Sequence, residues 1–276
     1  MKFDFEVVGK IGSIALVRKE EYDIDYNVFS RIGKDLTPDF IWVSSGAGVI
    51  GRLDYIKRNN GKEIEDISEE YVSSYYAAQG QSILMENYRR FIHPMYSVRQ
   101  LLVEHQHFNE QSKKEFIRKL LVESVKHNAI TIVNYNDSVS NEEIRKVELN
   151  RLRLNCDKVV ELVDNDETAS QISVLVKSKY LLMMTSTEGL LKDPDDDTSL
   201  IKEVNGKDVY ELIDNINSLQ DCCNGASRKG ANGMKAKLQY LIEPIRQGTT
   251  VIIGHSKYRI KDLMEGNVNR TIFRVR

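Results

Sequence analysis

Six short apolar runs, each ending in a cluster of Gly, Ser, Thr, Asn or Asp and parted by longer stretches with helical spacing, do most to set what this chain can fold into. They are Phe5 to Val8, Phe40 to Val43, Ala129 to Val133, Val159 to Val163, Tyr180 to Met184 and Thr250 to Ile253. Apolar residues at consecutive positions, rather than alternating ones, read as strands buried on both faces, although a short buried helix gives the same run. Strands alternating with helices predict an α/β protein with an open, mostly parallel sheet sandwiched by helices.

The helices carry their own punctuation. Ser112-Lys113-Lys114-Glu115 reads as a capping box, followed by Phe116, Leu120, Leu121 and Val125 at helical spacing. Asp208 caps a second helix whose apolar face is Val209, Leu212, Ile213, Ile216 and Leu219. Two more run from about Glu69 to Phe91 and from about Met234 to Arg246, the latter with Pro244 in its last turn to end or bend it. The polar stretches Asn59 to Asp66 and Asn141 to Lys158 read as insertions or mobile loops. No linker composition or internal repeat divides the chain, so a single domain over residues 1–276 is expected.

Composition narrows the function classes. At 276 residues and 31.7 kDa the chain buries a core that needs neither disulfides nor a structural metal. With 39 Lys+Arg against 41 Asp+Glu, the net charge of -2 argues against a polybasic binder of nucleic acid or anionic lipid. Cys156, Cys222 and Cys223 form neither a disulfide framework nor a zinc motif, which fits a reducing cytoplasm. The acidic start Asp4-Phe5-Glu6 is not a signal peptide, and no apolar run approaches the about 18 residues of a membrane span.

In an open α/β sheet, ligands bind beyond the carboxyl ends of the strands. There this chain places Gly9-Lys10-Ile11-Gly12-Ser13, Ser44-Ser45-Gly46-Ala47-Gly48, Asn134-Tyr135-Asn136-Asp137 and Asp164-Asn165-Asp166, while Thr185-Ser186-Thr187-Glu188-Gly189-Leu190 after the fifth run reads as an adenine or ribose contact or simply as a turn. Each has a plain reading as a turn, an Asx cap or a solvated lysine, and GxxxxGK[ST] is not present. Their coincidence at successive strand ends is what points to a pocket rim. The Gly-rich basic run from Ser227 to Lys237 leads straight into a helix, an arrangement suited to nucleotide phosphates and equally to a flexible basic loop. The five histidines, His93, His105, His107, His127 and His255, show no metal-ligand spacing and no nucleophile partner.

Taken in order, these segments resemble the amino-acid kinase family, and within it most closely the glutamate 5-kinase branch. Ala77-Ala78-Gln79-Gly80-Gln81, Leu181 to Leu190 with Asp193-Pro194, and Asp262-Leu263-Met264-Glu265-Gly266 belong to the same set. The resemblance runs from about Val7 to Phe273, without the PUA domain that follows the kinase domain in many members. It implies phosphoryl transfer from MgATP to the γ-carboxylate of L-glutamate, the first step of proline biosynthesis. The N-terminal part would form the acceptor side and the C-terminal part the nucleotide side. The resemblance makes Lys10, Asp166 and Lys237 catalytic and gives Ser45, Gly46, Ala47, Asp137 and Asn165 to the acceptor. It gives Lys10, Gly12, Ser13, Thr185, Ser186, Gly230, Ala231, Asn232, Gly233, Met234 and Lys237 to ATP. Mg2+ would be held by ATP phosphates and water rather than by a protein cage. The implied enzyme is a cytoplasmic homo-oligomer, a dimer or tetramer, binding neither nucleic acid nor membrane.

The chain departs from the family pattern at Ile14, Tyr135, Val163, Ser186 and Asn232, and its stretch between Asp137 and Asp164 is longer than the family's by over ten residues. Two alternatives therefore stand beside glutamate phosphorylation. One is a kinase of the same fold acting on another small acid or a nucleoside monophosphate. The other is a nucleotide-binding homologue without turnover.

Overall fold

The computed structural model describes residues 2–18, 20–156, 159–193, 196–222 and 234–276. Its strands are β1 (Phe5–Ile11), β2 (Val17–Arg18), β3 (Asp23–Ile24), β4 (Phe40–Ser44), β5 (Ser97–Val103), β6 (Ala129–Tyr135), β7 (Ser178–Thr185), β8 (Leu190–Leu191), β9 (Leu200–Ile201), β10 (Glu203–Gly206), β11 (Thr250–His255) and β12 (Arg270–Val275). Its helices are α1 (Tyr26–Asp35), α2 (Ala47–Arg58), α3 (Glu69–Phe91), α4 (Gln106–Asn109), α5 (Gln111–Lys126), α6 (Glu142–Arg153), α7 (Asn165–Val176), α8 (Val209–Cys222), α9 (Met234–Arg246) and α10 (Ile260–Glu265). Eight strands form one sheet in the order β10-β12-β11-β7-β1-β4-β6-β5. Every pairing in it is parallel except β11 with β12. This is the expected open, mostly parallel sheet between helices.

Alternate residues of each central strand feed two cores. Val8, Val43, Val133, Leu181 and Val251 pack beneath α5, α7, α8 and α9. Val7, Trp42, Ile132, Leu182 and Ile252 pack beneath α1, α2, α3 and α10. Burial on both faces explains the consecutive apolar runs, since neither side of such a strand meets water. On the second face Gly9 is required by its neighbour: a Cβ there would lie 2.1 Å from the Trp42 ring. Helices α2 and α3 cross at backbone contact, where Cβ atoms on Gly51 and Gly80 would each fall 1.8 Å from a carbonyl oxygen of the other helix.

Val159–Val163 is not a strand. Leu162 takes a left-handed backbone, φ 49°, which a strand does not accommodate. Side chains supply the hydrogen bonds that a sheet would otherwise provide. Asn109 donates to the Val160 carbonyl and accepts from its N–H, at 2.8 and 2.9 Å. Glu167 accepts from the Val163 N–H at 2.9 Å, and Arg145 donates to the Leu162 carbonyl at 3.1 Å.

Three further expectations are corrected. The helix read from Ser112 begins at Gln111 with Glu110 at its cap, without the side-chain cap of a capping box, and it leaves Phe116 68% exposed. The stretch Asn141 to Lys158 contains α6, capped by the Asn141 side chain, which accepts from the Ile144 N–H at 2.8 Å. Strands β5, β10 and β12 lie outside the six runs: β10 and β5 are the edges of the sheet, β12 lies next to β10, and all three are only partly buried and lose the continuous apolar signature. By contrast, Asp208 does cap α8, accepting from the Tyr210 and Glu211 N–H groups at 2.9 Å each.

Candidate active site

Chain order along the sheet reverses at β1, from which later strands are added on one side through β4 and on the other through β7. Such a switch point opens a crevice beyond the carboxyl ends of the strands. On the α7 face, the register places Lys10 level with Val43 and Met183, and Val43 level with Val133. The row above them holds Tyr135, Ser45, Thr185 and His255, with His255 paired to Thr185. One row thus runs from Tyr135 over β6 to His255 over β11, with the Lys10 ammonium beneath its middle.

Helices α7 and α9 both begin at this edge, and their first turns bring charge to it. Lys10 Nζ lies 2.6 Å from Asp166 Oδ1, and Lys237 Nζ lies 3.5 Å from Asp166 Oδ2. These side chains are only 11–18% exposed. Burial disfavours the Asp166 anion, but the two ammonium groups outweigh it and hold its carboxyl below the usual range. Asp166 therefore stays ionised and is occupied as a bridge between two cations. Next to it, Asp164 accepts from the Asp166 and Glu167 N–H groups at 2.9 Å each, which fixes the start of α7. A Cβ on Gly12 would stand 3.7 Å from Lys10 Nζ, so the loop backbone runs beside that ammonium.

Helix α2 starts at Gly46, whose φ of 107° suits glycine, and no side chain caps it. Its first N–H groups, at Ala47 and Gly48 beside Ser45, are among the donors that a helix start leaves without an intrahelical partner. Ser44, one residue earlier, is fixed from below by the buried Tyr88 hydroxyl at 2.8 Å, which itself accepts from Trp42 Nε1 at 3.0 Å.

On the β6 side, Asn165 Nδ2 donates to Ser45 Oγ at 2.9 Å and to Asn134 Oδ1 at 3.3 Å, and Asn134 Nδ2 donates to Gln81 Oε1 at 3.0 Å. Two buried atoms of this chain of amides, Gln81 Nε2 and Asn165 Oδ1, have no partner. A polar ligand is the usual reason for such orphans. Asp137 stands at the mouth of the same end, open to water on one side. Protein packed around it raises its carboxyl to about 6, while Arg145 pulls the other way. Glu104 accepts from Asn136 Nδ2 at 2.7 Å and so steadies the turn that carries Asp137.

The structure therefore brings Lys10, Asp166 and Lys237 together and sets Ser45, Gly46, Ala47 and Asn165 beside them. Gly12 and Ser13 adjoin Lys10, while Thr185 ends β7 and Ser186 is exposed beyond it. Gly230, Ala231, Asn232 and Gly233, with the Met234 side chain and Cys223, lie outside the described residues. Reasoning from the sequence named the segments that hold Gln81 and Asn134 but gave no role to Gln81, Asn134, Glu104 or Arg145. Asn134 was visible as a polar residue at a strand end, whereas Arg145 sits in a helix that was read as a loop.

The profile described as the Amino acid kinase family matches residues 6–255. The chain belongs to the amino acid kinase family. Among curated relatives, the glutamate 5-kinase of Clostridium perfringens is 27% identical over 95% of this chain and 89% of its own length. That of Alkaliphilus metalliredigens is 26% identical over 97% of this chain and 95% of its own. The glutamate 5-kinase of Dehalococcoides mccartyi is 30% identical over 88% of this chain, which spans only 59% of that protein. Solved structures of similar fold include carbamate kinase from Giardia lamblia, with a TM-score of 0.59 at 16% identity covering 97% of this chain and 98% of that one. UMP kinase from Ureaplasma parvum aligns with a TM-score of 0.56 at 13% identity, covering 100% of this chain and 99% of that one. No helix among the described residues is long and apolar enough to cross a membrane.

Proposed function

We propose that the chain transfers the γ-phosphoryl group of ATP to the γ-carboxylate of L-glutamate, forming γ-glutamyl phosphate and ADP as the first step of proline biosynthesis. The observation that carries this reading is the Lys10–Asp166–Lys237 bridge at the switch point. Phosphoryl transfer asks for in-line positioning and for positive charge on the migrating group, and two oriented ammonium groups supply the second. In the transfer a carboxylate oxygen of the acceptor forms a bond to the γ-phosphorus while the bond from that phosphorus to the β,γ-bridging oxygen breaks. The electron pair leaves on ADP. No proton moves, because the acceptor carboxylate is already ionised near neutral pH.

That balance matches the site. Asp166, held ionised between two lysines, is engaged as their orienter and is not free to act as a general base, which an alcohol acceptor would require. An anionic acceptor needs none. Ser45, the first amides of α2 and Asn165 would hold the acceptor over β4 and β6. Thr185 and the start of α9 would hold the nucleotide over β7 and β11, with the γ-phosphorus above Lys10.

The residues also fit a divalent cation carried on the nucleotide. Among the described residues no His/Cys/Asp/Glu cluster holds a metal, and Asp164 and Asp166 are both engaged, so phosphate oxygens and water would complete the Mg2+ shell. When bound, Mg2+ would neutralise part of the triphosphate charge. A second reading, in which the acceptor is another small acid, rests on Tyr135 lining the acceptor end.

ADP release with purified protein, MgATP and a panel of acceptors, with hydroxylamine trapping the acyl phosphate, tests both. Hydroxamate formed with glutamate is the expected result. ADP formed only with another acid favours the second reading, and nucleotide binding without turnover for any acceptor refutes both.

A further inference from the structure

An α-amino acid presents an ammonium and a carboxylate on one carbon, so a site that selects it needs an anion and a cation side by side, each left free for the ligand. At the β6 end of the crevice an anion and a cation lie near each other, Asp137 on the turn after β6 and Arg145 on α6. Asp137 accepts no hydrogen bond from any described residue, and Arg145 is near enough for its charge to act on the Asp137 and Tyr135 side chains. The two are nonetheless not closed into an ion pair within 4.0 Å. Arg145 Nη1 is anchored on the Leu162 carbonyl at 3.1 Å, while its Nε is buried with no partner. The neighbouring carboxylate of Glu104 does not compete, since Asn136 and Gln106 occupy its two oxygens at 2.7 and 3.1 Å. His105, also close, pairs with Glu148 at 3.2 Å, and burial lowers its basicity. Tyr135 adds no charge at neutral pH, its hydroxyl lying 3.2 Å from Ser140 Oγ.

We propose that Arg145, delivered by α6, is the cation that receives the α-carboxylate of the acceptor, completing with Asp137 a receptor for a zwitterionic head group. The inference rests on the reading of the acceptor given above and makes α6 a specificity element. The anchor on Leu162 suits the role, because it holds the long side chain in one place, so that less of its freedom is lost on binding.

The test compares L-glutamate with its α-amide, which keeps the γ-carboxylate and the ammonium but loses the head-group anion. Initial rates are measured by hydroxamate formation in the wild-type protein, Arg145→Gln and Arg145→Lys. Wild type is expected to prefer glutamate by about tenfold to a hundredfold in kcat/KM, mostly through KM, the size of a charge-assisted pair lost. In Arg145→Gln, whose amide still reaches a carbonyl, that ratio collapses toward one, and Arg145→Lys restores part of it. A merely structural Arg145 would lower both substrates alike and leave the ratio unchanged, which overturns the proposal. Wild type using both substrates equally also overturns it, and that measurement needs no variant to fold. Wild type using neither refutes the reading of the acceptor itself, a distinguishable result.

Discussion

Replacing Asp166 by Asn removes the anion that bridges Lys10 and Lys237 while keeping its size. At an effective dielectric constant of about 20, a unit charge at the 2.6 Å of Lys10 contributes about 6 kcal/mol of gross attraction and one at the 3.5 Å of Lys237 about 5 kcal/mol. Desolvation of three largely buried ions offsets most of that. Breaking such a cluster from one side still costs about 3–5 kcal/mol, because the remaining charges stay buried without their counterion. The melting temperature should fall by on the order of 10 °C. With the lysines no longer oriented, kcat should fall about 100- to 1,000-fold, the loss seen when a preorganised electrostatic contact is deleted. Nucleotide binding should move the opposite way, since a crevice that has lost an anion attracts a triphosphate more strongly. Calorimetric titration with ATP, thermal melting and ADP release under saturating substrates read the three effects separately. A folded Asp166→Asn protein that keeps kcat within about threefold of wild type would refute the assignment of the bridge to catalysis.

The remaining predictions concern other parts of the structure. Because the Asp137 carboxyl is raised to about 6, the folded chain holds a proton between pH about 4 and 6 that the unfolded chain has released. Stability should therefore decline as pH rises through that window, and Asp137→Asn should remove this component of the slope in pH-dependent urea titrations. The same group must be ionised to pair with an ammonium, so the KM for glutamate should rise as pH drops below about 6, as initial-rate profiles will show. Gly80→Ala places a Cβ 1.8 Å from the Ala47 carbonyl oxygen, which only displacement of α2 from α3 can relieve. It should cost about 3 kcal/mol or more in chemical denaturation and disturb the α2 amides next to Ser45. Asn109→Ala strips two hydrogen bonds from the backbone of Val160 and should cost about 2–4 kcal/mol, with no change in the m-value.

The sequence by itself determined the layers and the edge on which the chemistry stands. Strands β1, β4, β6, β7 and β11 were legible because burial on both faces forces apolar residues at every position. The polar residues that follow them were legible because a strand ends where it meets water. The kinship to a phosphoryl-transferring family was readable from the order of those strand ends, and Lys10, Asp166 and Lys237 stood out as charges in that order. Packing decided the rest. Val159–Val163 has the composition of a strand, but the side chains of Asn109, Glu167 and Arg145 compete for its backbone, and side-chain partners of that kind leave no periodic pattern in the sequence. The α6 helix shows the same limit, since its interior is mostly polar and only Leu149 is buried, so hydrophobic periodicity was too weak to announce it. That Lys10 and Lys237, 227 positions apart, grip opposite oxygens of one carboxylate is a property of the folded sheet and its two covering helices. Distances of a few ångströms between such residues follow from strand order and register, which short-range sequence does not encode.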